Sequence, residues 1–219
     1  MTGREKTIRP LWMVLIVVLV LIADQALKYW VKTNFAYGEE KNVISDWFIL
    51  HFTENNGMAF GLGFGGSYGK LLLTLFRIVA VAGIIYYMVY QYRRGAHRGF
   101  LVCLALILAG AVGNIIDSVF YGVIFHDINR YIGGWFHGQV VDMLYFPIIE
   151  TYYPSWSPIN AGEEFIFFRP VFNLADASIS TGVIAIFAFQ KRFFKEHVKP
   201  EVTDVPADHT PAEGDGAVA

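Results

Sequence analysis

Four apolar runs constrain this chain more than anything else in its sequence. They cover residues 11–31, 71–92, 99–120 and 171–190, each about 20 residues and so of bilayer length. In hydrocarbon every backbone N–H and C=O must be satisfied within the segment, so such runs cross as helices. Composition agrees: 55% of residues are hydrophobic and only 16% are charged, whereas a soluble domain carries about a quarter charged residues. The expected fold is an all-α membrane protein with four transmembrane helices.

Basic residues set the orientation. Arg4, Lys6 and Arg9 precede the first run; Arg93, Arg94 and Arg98 separate the second from the third; Lys191, Arg192, Lys195 and Lys199 follow the fourth. The positive-inside rule places these segments and both termini in the cytoplasm. The first run imitates a signal peptide, but no small-residue cleavage site follows it, so it reads as a retained span. Residues 1–198 then form one four-helix domain with outer segments 32–69 and 121–170. Residues 199–219 are rich in Pro, Ala, Asp and Glu and form a disordered cytoplasmic tail.

Within the first outer segment, Trp47 to Thr53 is aromatic and β-branched, which suits a strand. Glu54-Asn55-Asn56-Gly57 is a turn signal. With Phe48, Phe52, Met58, Phe60 and Phe64 nearby, a small β-rich cradle with an aromatic rim is expected on the outer face. The net charge of -2 offers no basic patch for nucleic acid, and the lone Cys103 excludes an internal disulfide and reads as packing.

Carboxylates interrupt this apolar pattern. Asp176 sits about one turn into the fourth run, and Asn173, Asp176 and Ser180 share a helical face. A carboxylate at hydrocarbon depth costs several kcal/mol, so its default reading is a functional site facing the bundle interior. Asp24 and Lys28 are spaced i, i+4 as an ion pair. That pair reads equally as purely structural, with Lys28 snorkelling outward. Gly110, Gly113, Asn114 and Asp117 share a face of the third run. The glycines permit close helix approach, Asn114 can bond across the gap, and Asp117 needs a cation, for which Arg77 and Lys28 are candidates. Asp142 lies in another apolar stretch, Gly138 to Met143. At about 1.5 Å per residue, all these groups fall in the outer third of the bilayer or just beyond it.

Two carboxylates in one low-dielectric pocket cannot both ionise, so they share a proton. Asp142 and Asp176 could in this way supply a base to activate water and an acid to polarise a carbonyl. Spacing alone equally allows each to cap or pair separately. A proton- or ion-coupled carrier is the alternative function, although the acids gather on one side and no paired broken helices occur. A non-enzymatic scaffold held together by its acids is a further one. No His-Glu-x-x-His motif occurs, and His126, His137 and Asp127 match no standard metal spacing.

Five ordered motifs carry a resemblance. They are Asp24-Gln25-x-x-Lys28; Asn55-x-Gly57-x-Ala59-Phe60; Gly110-x-x-Gly113-Asn114-x-x-Asp117; Gly138-x-Val140-x-Asp142; and Phe172-Asn173-x-Ala175-Asp176. In this set the chain resembles the lipoprotein signal peptidases, the type II signal peptidases of bacteria. The resemblance implies an aspartyl endopeptidase of the bacterial cytoplasmic membrane, needing no metal or cofactor, with its site toward the non-cytoplasmic face. Asp142 and Asp176 would be catalytic. Asp24, Lys28, Asn55, Gly57, Asn114, Asp117 and Asn173 would support or line the site. The substrate would be a diacylglyceryl prolipoprotein cut before its lipidated cysteine, in contact with membrane lipid, and globomycin-like cyclic peptides would inhibit.

The sequence departs from the family pattern twice. Ser118 stands where an arginine usually follows the third-motif acid, which leaves Arg130 as the candidate substitute. An insert, residues 119–137, places Asp127 near the spacing expected of the catalytic acid. Asp142 is preferred because Gly138-Gln139-Val140-Val141-Asp142 keeps the local motif.

Overall fold

A computed structural model of the chain describes residues 11–55, 66–147, 149–152, 156, 164–167 and 170–194. Gly57, the basic N-terminal residues and the tail from 199 lie outside the described residues. Among the described residues, three helices are long and apolar enough to cross a membrane: α1 (Leu11–Asn34), α2 (Gly66–Arg93) and α3 (Arg98–Ile124). They match the first three apolar runs, each extended by a few residues.

The fourth run is not one continuous helix. Phe172 is extended and pairs with Leu144, Asn173 caps, and α4 (Leu174–Ala188) then runs for 15 residues. A single turn, α5 (Gln190–Phe193), follows. The polar signal that opens the run is a helix cap. Asn173 Oδ1 accepts the Asp176 N–H at 2.9 Å, the third-position bond an N-cap residue makes.

Helix α3 is the axle, packing against α1, α2 and α4. Gly110 and Gly113 explain how α4 comes so close. A Cβ on Gly110 would lie 2.2 Å from the Ala175 carbonyl oxygen, and one on Gly113 would lie 2.8 Å from the Asp24 carboxylate. On α4 the buried positions are Ala175, Ser178 and Gly182. Ser180, expected on the polar face with Asp176, is exposed. Ser178 faces α3 instead and donates to the Leu106 carbonyl at 3.0 Å.

Helix α2 meets α3 along one seam of i+3 and i+4 steps. At one end Val81, Ile84 and Met88 pack with Phe100, Leu101 and Leu104. At the other the seam turns polar. Lys70 lies over the Tyr131 ring, Thr74 is buried, and Arg77 donates to Ser118 Oγ at 3.2 Å.

An antiparallel sheet caps that polar end of the bundle. It consists of β1 (Glu40–Ile44), β2 (Phe48–Asn55) and β3 (Val140–Tyr145), in that order. A separate hairpin joins β4 (Ile149–Tyr152) to β5 (Glu164–Phe167). The strand expected at residues 47–53 is β2; β3 is an additional strand that carries Asp142. Phe52, Val141 and Met143 of the sheet pack with Val31 and Phe35 near the end of α1 and with Tyr121 and Phe125 of α3. Of the expected aromatic rim, Phe48 stacks on Phe146 at 4.7 Å and Phe146 on Phe172 at 5.8 Å; Phe52 is buried in the core, and Met58, Phe60 and Phe64 lie outside the described residues.

The insert leaves α3 and returns to it at the same level. Phe136 N–H bonds the Val119 carbonyl at 3.1 Å and Gly138 N–H bonds the Ser118 carbonyl at 2.9 Å. A Cβ on Gly138 would sit 2.0 Å from the Asp117 carbonyl oxygen, so only glycine permits this return. The excursion is closed at its base, and β3 starts where a shorter connection would start it.

Candidate active site

Four carboxylates converge where the sheet meets the bundle, and their partners divide them into two pairs. Asp24 and Asp117 share Lys28. The lysine Nζ lies 2.9 Å from Asp24 Oδ2, 2.7 Å from Asp117 Oδ2 and 3.0 Å from Asn114 Oδ1. Those three acceptors match the three donors of an ammonium. Lys28 is fully buried, which rules out snorkelling and settles the partner of Asp117 as Lys28.

Each member of this pair also clamps backbone. Asp24 Oδ1 accepts the Ala175 N–H at 2.9 Å. With Asn173 on the Asp176 N–H, two of the otherwise unpaired donors at the start of α4 are satisfied. Asp117 Oδ2 accepts the Val141 N–H of β3 at 3.4 Å, and its Oδ1 takes the Gln25 amide at 2.9 Å. Asp24 thus fixes the helix that carries Asp176, and Asp117 fixes the strand that carries Asp142.

The second pair is held by amides. Asp142 Oδ1 accepts from Asn173 Nδ2 at 2.7 Å, and Oδ2 accepts from Asn55 Nδ2 at 3.3 Å. Asp176 Oδ1 accepts from Asn114 Nδ2 at 2.7 Å. Asn173 Nδ2 also lies 3.2 Å from Asn114 Oδ1, so Asn173 and Asn114 link the two acids. Asp142 is buried, and desolvation followed by the negative charge of Asp176 pushes its carboxyl up to about 7.

Asn55, Asn114, Asn173, Asp24, Lys28, Asp117, Asp142 and Asp176 are all joined in this cluster, and Gly57 lies outside the described residues. Asp127 does not join it. Its side chain is 99% exposed and contacts His126 at 3.3 Å. Arg130, the expected substitute for the family arginine, lies over the Tyr37 ring at 4.5 Å instead. The guanidinium that reaches Ser118 belongs to Arg77. Gln25, within the first motif but not singled out, bridges Asp24 at 3.1 Å and Asp117 at 2.9 Å and accepts from the Tyr121 hydroxyl at 3.0 Å. Its place beside Asp24, one residue from a buried acid, was the signal available.

Membrane-length helices enclosing a buried, hydrogen-bonded set of carboxylates beneath an extramembrane sheet define a multi-pass membrane protein with a polar site near one membrane surface. Comparison with known proteins narrows the class. The profile of the family described as Signal peptidase (SPase) II matches residues 16–191. A lipoprotein signal peptidase of Porphyromonas gingivalis is 50% identical over 188 residues, covering 81% of each chain. One from Amoebophilus asiaticus is 41% identical over 197 residues, covering 87% of this chain and 82% of its own. A bacterial membrane enzyme solved by the in meso method at 2.3 Å resolution superposes with a TM-score of 0.57 at 28% identity, over 85% of this chain and 92% of its own.

The chain belongs to the signal peptidase II family and is a membrane protease. The carrier alternative has no support in this membership.

Proposed function

We propose that Asp142 and Asp176 are the catalytic pair with which this protease removes the signal peptide from diacylglyceryl-modified prolipoproteins, cutting before the lipidated cysteine. The observation that carries the assignment is the division of partners among the four acids. Asp24 and Asp117 share a buried ammonium, which serves as the counter-charge for both. Asp142 and Asp176 are held by asparagine amides, which orient the oxygens and leave room for a proton. Asp142 is buried and Asp176 half-buried, and a carboxylate pair of this kind carries one proton between them, because neighbouring anions repel. The ionised member takes a proton from water as the oxygen attacks the scissile carbonyl. The protonated member hydrogen-bonds the developing oxyanion and then donates to the leaving amine.

The expected setting is a four-span protein of the bacterial cytoplasmic membrane with both termini inside and the cluster toward the non-cytoplasmic face. Supporting this, Arg93, Arg94 and Arg98 lie at the α2–α3 turn and Lys191 and Arg192 in α5, at the end of the bundle opposite the sheet. Globomycin-like cyclic peptides are expected to compete at the same site.

Cleavage of a purified diacylglyceryl prolipoprotein in detergent tests the assignment. Asp142→Asn and Asp176→Asn should fold and lose cleavage by at least about 1,000-fold, as loss of a member of a catalytic set typically does. Asp127→Asn should cleave like wild type. Full activity in either dyad variant, or its loss in Asp127→Asn, overturns the assignment.

A further inference from the structure

The excursion that leaves α3 after Ile124 and returns to it at Gly138 has two kinds of surface. Its tip, where His126 and Asp127 are exposed, is polar, as a loop standing in water should be. The returning limb is inverted. Asn129 Nδ2 donates to the Tyr121 carbonyl at 3.0 Å, and the Tyr131 hydroxyl accepts the Gln139 N–H at 2.9 Å, so these polar groups turn inward. Ile132, fully exposed, and Trp135, 57% exposed, turn outward. The Trp135 ring meets Phe120 edge-on at 5.5 Å. Phe120, Val123 and Ile124 are spaced i, i+3 and i+4, share a face of α3 and are all exposed. One apolar surface therefore runs from the helix onto the loop.

The backbone fixes the height of that surface. Helix α3 starts at Arg98, and a hydrocarbon core of about 30 Å takes about 20 residues to cross at about 1.5 Å each. The core then ends near Val119, and the helix continues to Ile124 in the headgroup layer. The returning limb is pinned at the same level. Phe136 N–H bonds the Val119 carbonyl and Gly138 N–H the Ser118 carbonyl. A Cβ on Gly122 would lie 2.4 Å from the Gly134 carbonyl oxygen, so the chain crosses α3 there in direct contact. Ile132 and Trp135 flank that crossing, about one helical turn from the edge of the hydrocarbon. Helix α1 carries exposed Tyr29 and Trp30 near the corresponding end, with the Tyr29 ring 5.7 Å from Phe125. Trp and Tyr collect at membrane–water interfaces, and an exposed apolar patch at that height has lipid as its neighbour.

We propose that residues 129–137 are a membrane-surface anchor whose partner is the lipid bilayer. Ile132 and Trp135 extend the Phe120 face of α3 into the boundary between headgroups and acyl chains, while His126 and Asp127 stay in water. Gly138 is bonded to α3 and β3 begins at Val140, so the anchor and the strand that carries Asp142 are held at one depth. The anchoring is independent of which acids are catalytic.

Depth measurement on the full-length protein, one copy per lipid nanodisc, tests this. Cys103 is the single cysteine and is buried; in a Cys103→Ala background, Ile132→Cys and Asp127→Cys each take one nitrobenzoxadiazole fluorophore. The Ile132 label should lose most of its quenching by aqueous iodide. It should be quenched strongly by phosphatidylcholine carrying a nitroxide high on its acyl chain. The Asp127 label should show the opposite pattern. An Ile132 label as open to iodide as the Asp127 label overturns the proposal. So does protection of the Ile132 label from both quenchers, which would mean that protein and not lipid covers it. An Asp127 label that reads lipid as strongly as the Ile132 label also overturns it, because the tip would then not be in water. If Ile132→Cys fails to fold, Trp135→Cys decides by the same pattern of quenching.

Discussion

Asp142→Asn should stabilise the protein at alkaline pH and destabilise it at acid pH, while abolishing cleavage at both. Burial and the neighbouring Asp176 hold the Asp142 carboxyl at about 7 in the folded protein, against about 3.9 in an unfolded chain. The folded state therefore binds the proton more tightly. Its contribution to stability is fully present below about pH 4 and is lost as pH rises through about 7. Above that range the protein carries a buried carboxylate whose cost is about 4 kcal/mol, at about 1.4 kcal/mol per pH unit. An asparagine carries no such charge. It accepts one of the two amide bonds and turns its own NH2 toward the other. The shorter bond from Asn173 at 2.7 Å is kept, and the 3.3 Å bond from Asn55 is lost, at about 1 kcal/mol. The net expectation is a gain of about 3 kcal/mol near pH 8 and a loss of about 1 kcal/mol near pH 4. Thermal unfolding of wild type and variant in the same detergent at three or four pH values reads this as a crossing of the two Tm curves. A variant less stable than wild type by a constant amount at every pH would refute the reasoning, because Asp142 would then not be a strained charge.

Two further substitutions probe the scaffold. Lys28→Met leaves Asp24 and Asp117 buried without a cation and should cost about 3–5 kcal/mol, seen as a large fall in Tm at neutral pH that lessens on acidification. Gly110→Ala forces a Cβ to within 2.2 Å of the Ala175 carbonyl oxygen. It should cost about 1–3 kcal/mol, and by shifting α4 should lower kcat by about 100-fold, measured as cleavage per folded molecule.

Much of this arrangement is legible in the sequence because membrane burial makes polar residues conspicuous. Helices α1 and α3 begin within a residue of the expected start, since apolar length fixes them. The acids stand out as costly exceptions, and motif order links Asp142 to Asp176 across the intervening chain. Legibility ends where only rotation or pairing in space decides. An i, i+4 spacing fits both a snorkelling Lys28 and a buried one; what buries it is Asp117 arriving from α3 at 2.7 Å. Ser178 and Ser180 differ by two residues, which on a helix is over half a turn, and helix packing chose the former. Arg130 is closer in sequence to Ser118 than Arg77 is, yet the closed excursion of the insert carries it to Tyr37. Residues 140–145 form a strand because β2 pairs with them, Thr53 standing opposite Asp142, a partnership no local pattern reveals.

Asn173 shows why the folding and the alignment of this site are one problem. Its carbonyl oxygen caps α4 by accepting the Asp176 N–H, while its amide nitrogen donates to Asp142. A cap must sit in the plane of the helix start to satisfy that N–H, so the amide plane is set by the helix that carries Asp176. The other edge of the same plane then sets where Asp142 can lie. Asp24 adds a second clamp on the Ala175 N–H, and its negative charge at the positive end of α4 favours the helix start. A displacement of α4 carries the cap with it but breaks the Asp24 bond and the Asn173–Asp142 bond together. Two bonds that fail only jointly resist small shifts more than two independent ones would. The separation of the two acids is therefore maintained by the stability of a helix N-terminus, a feature outside both carboxyl groups.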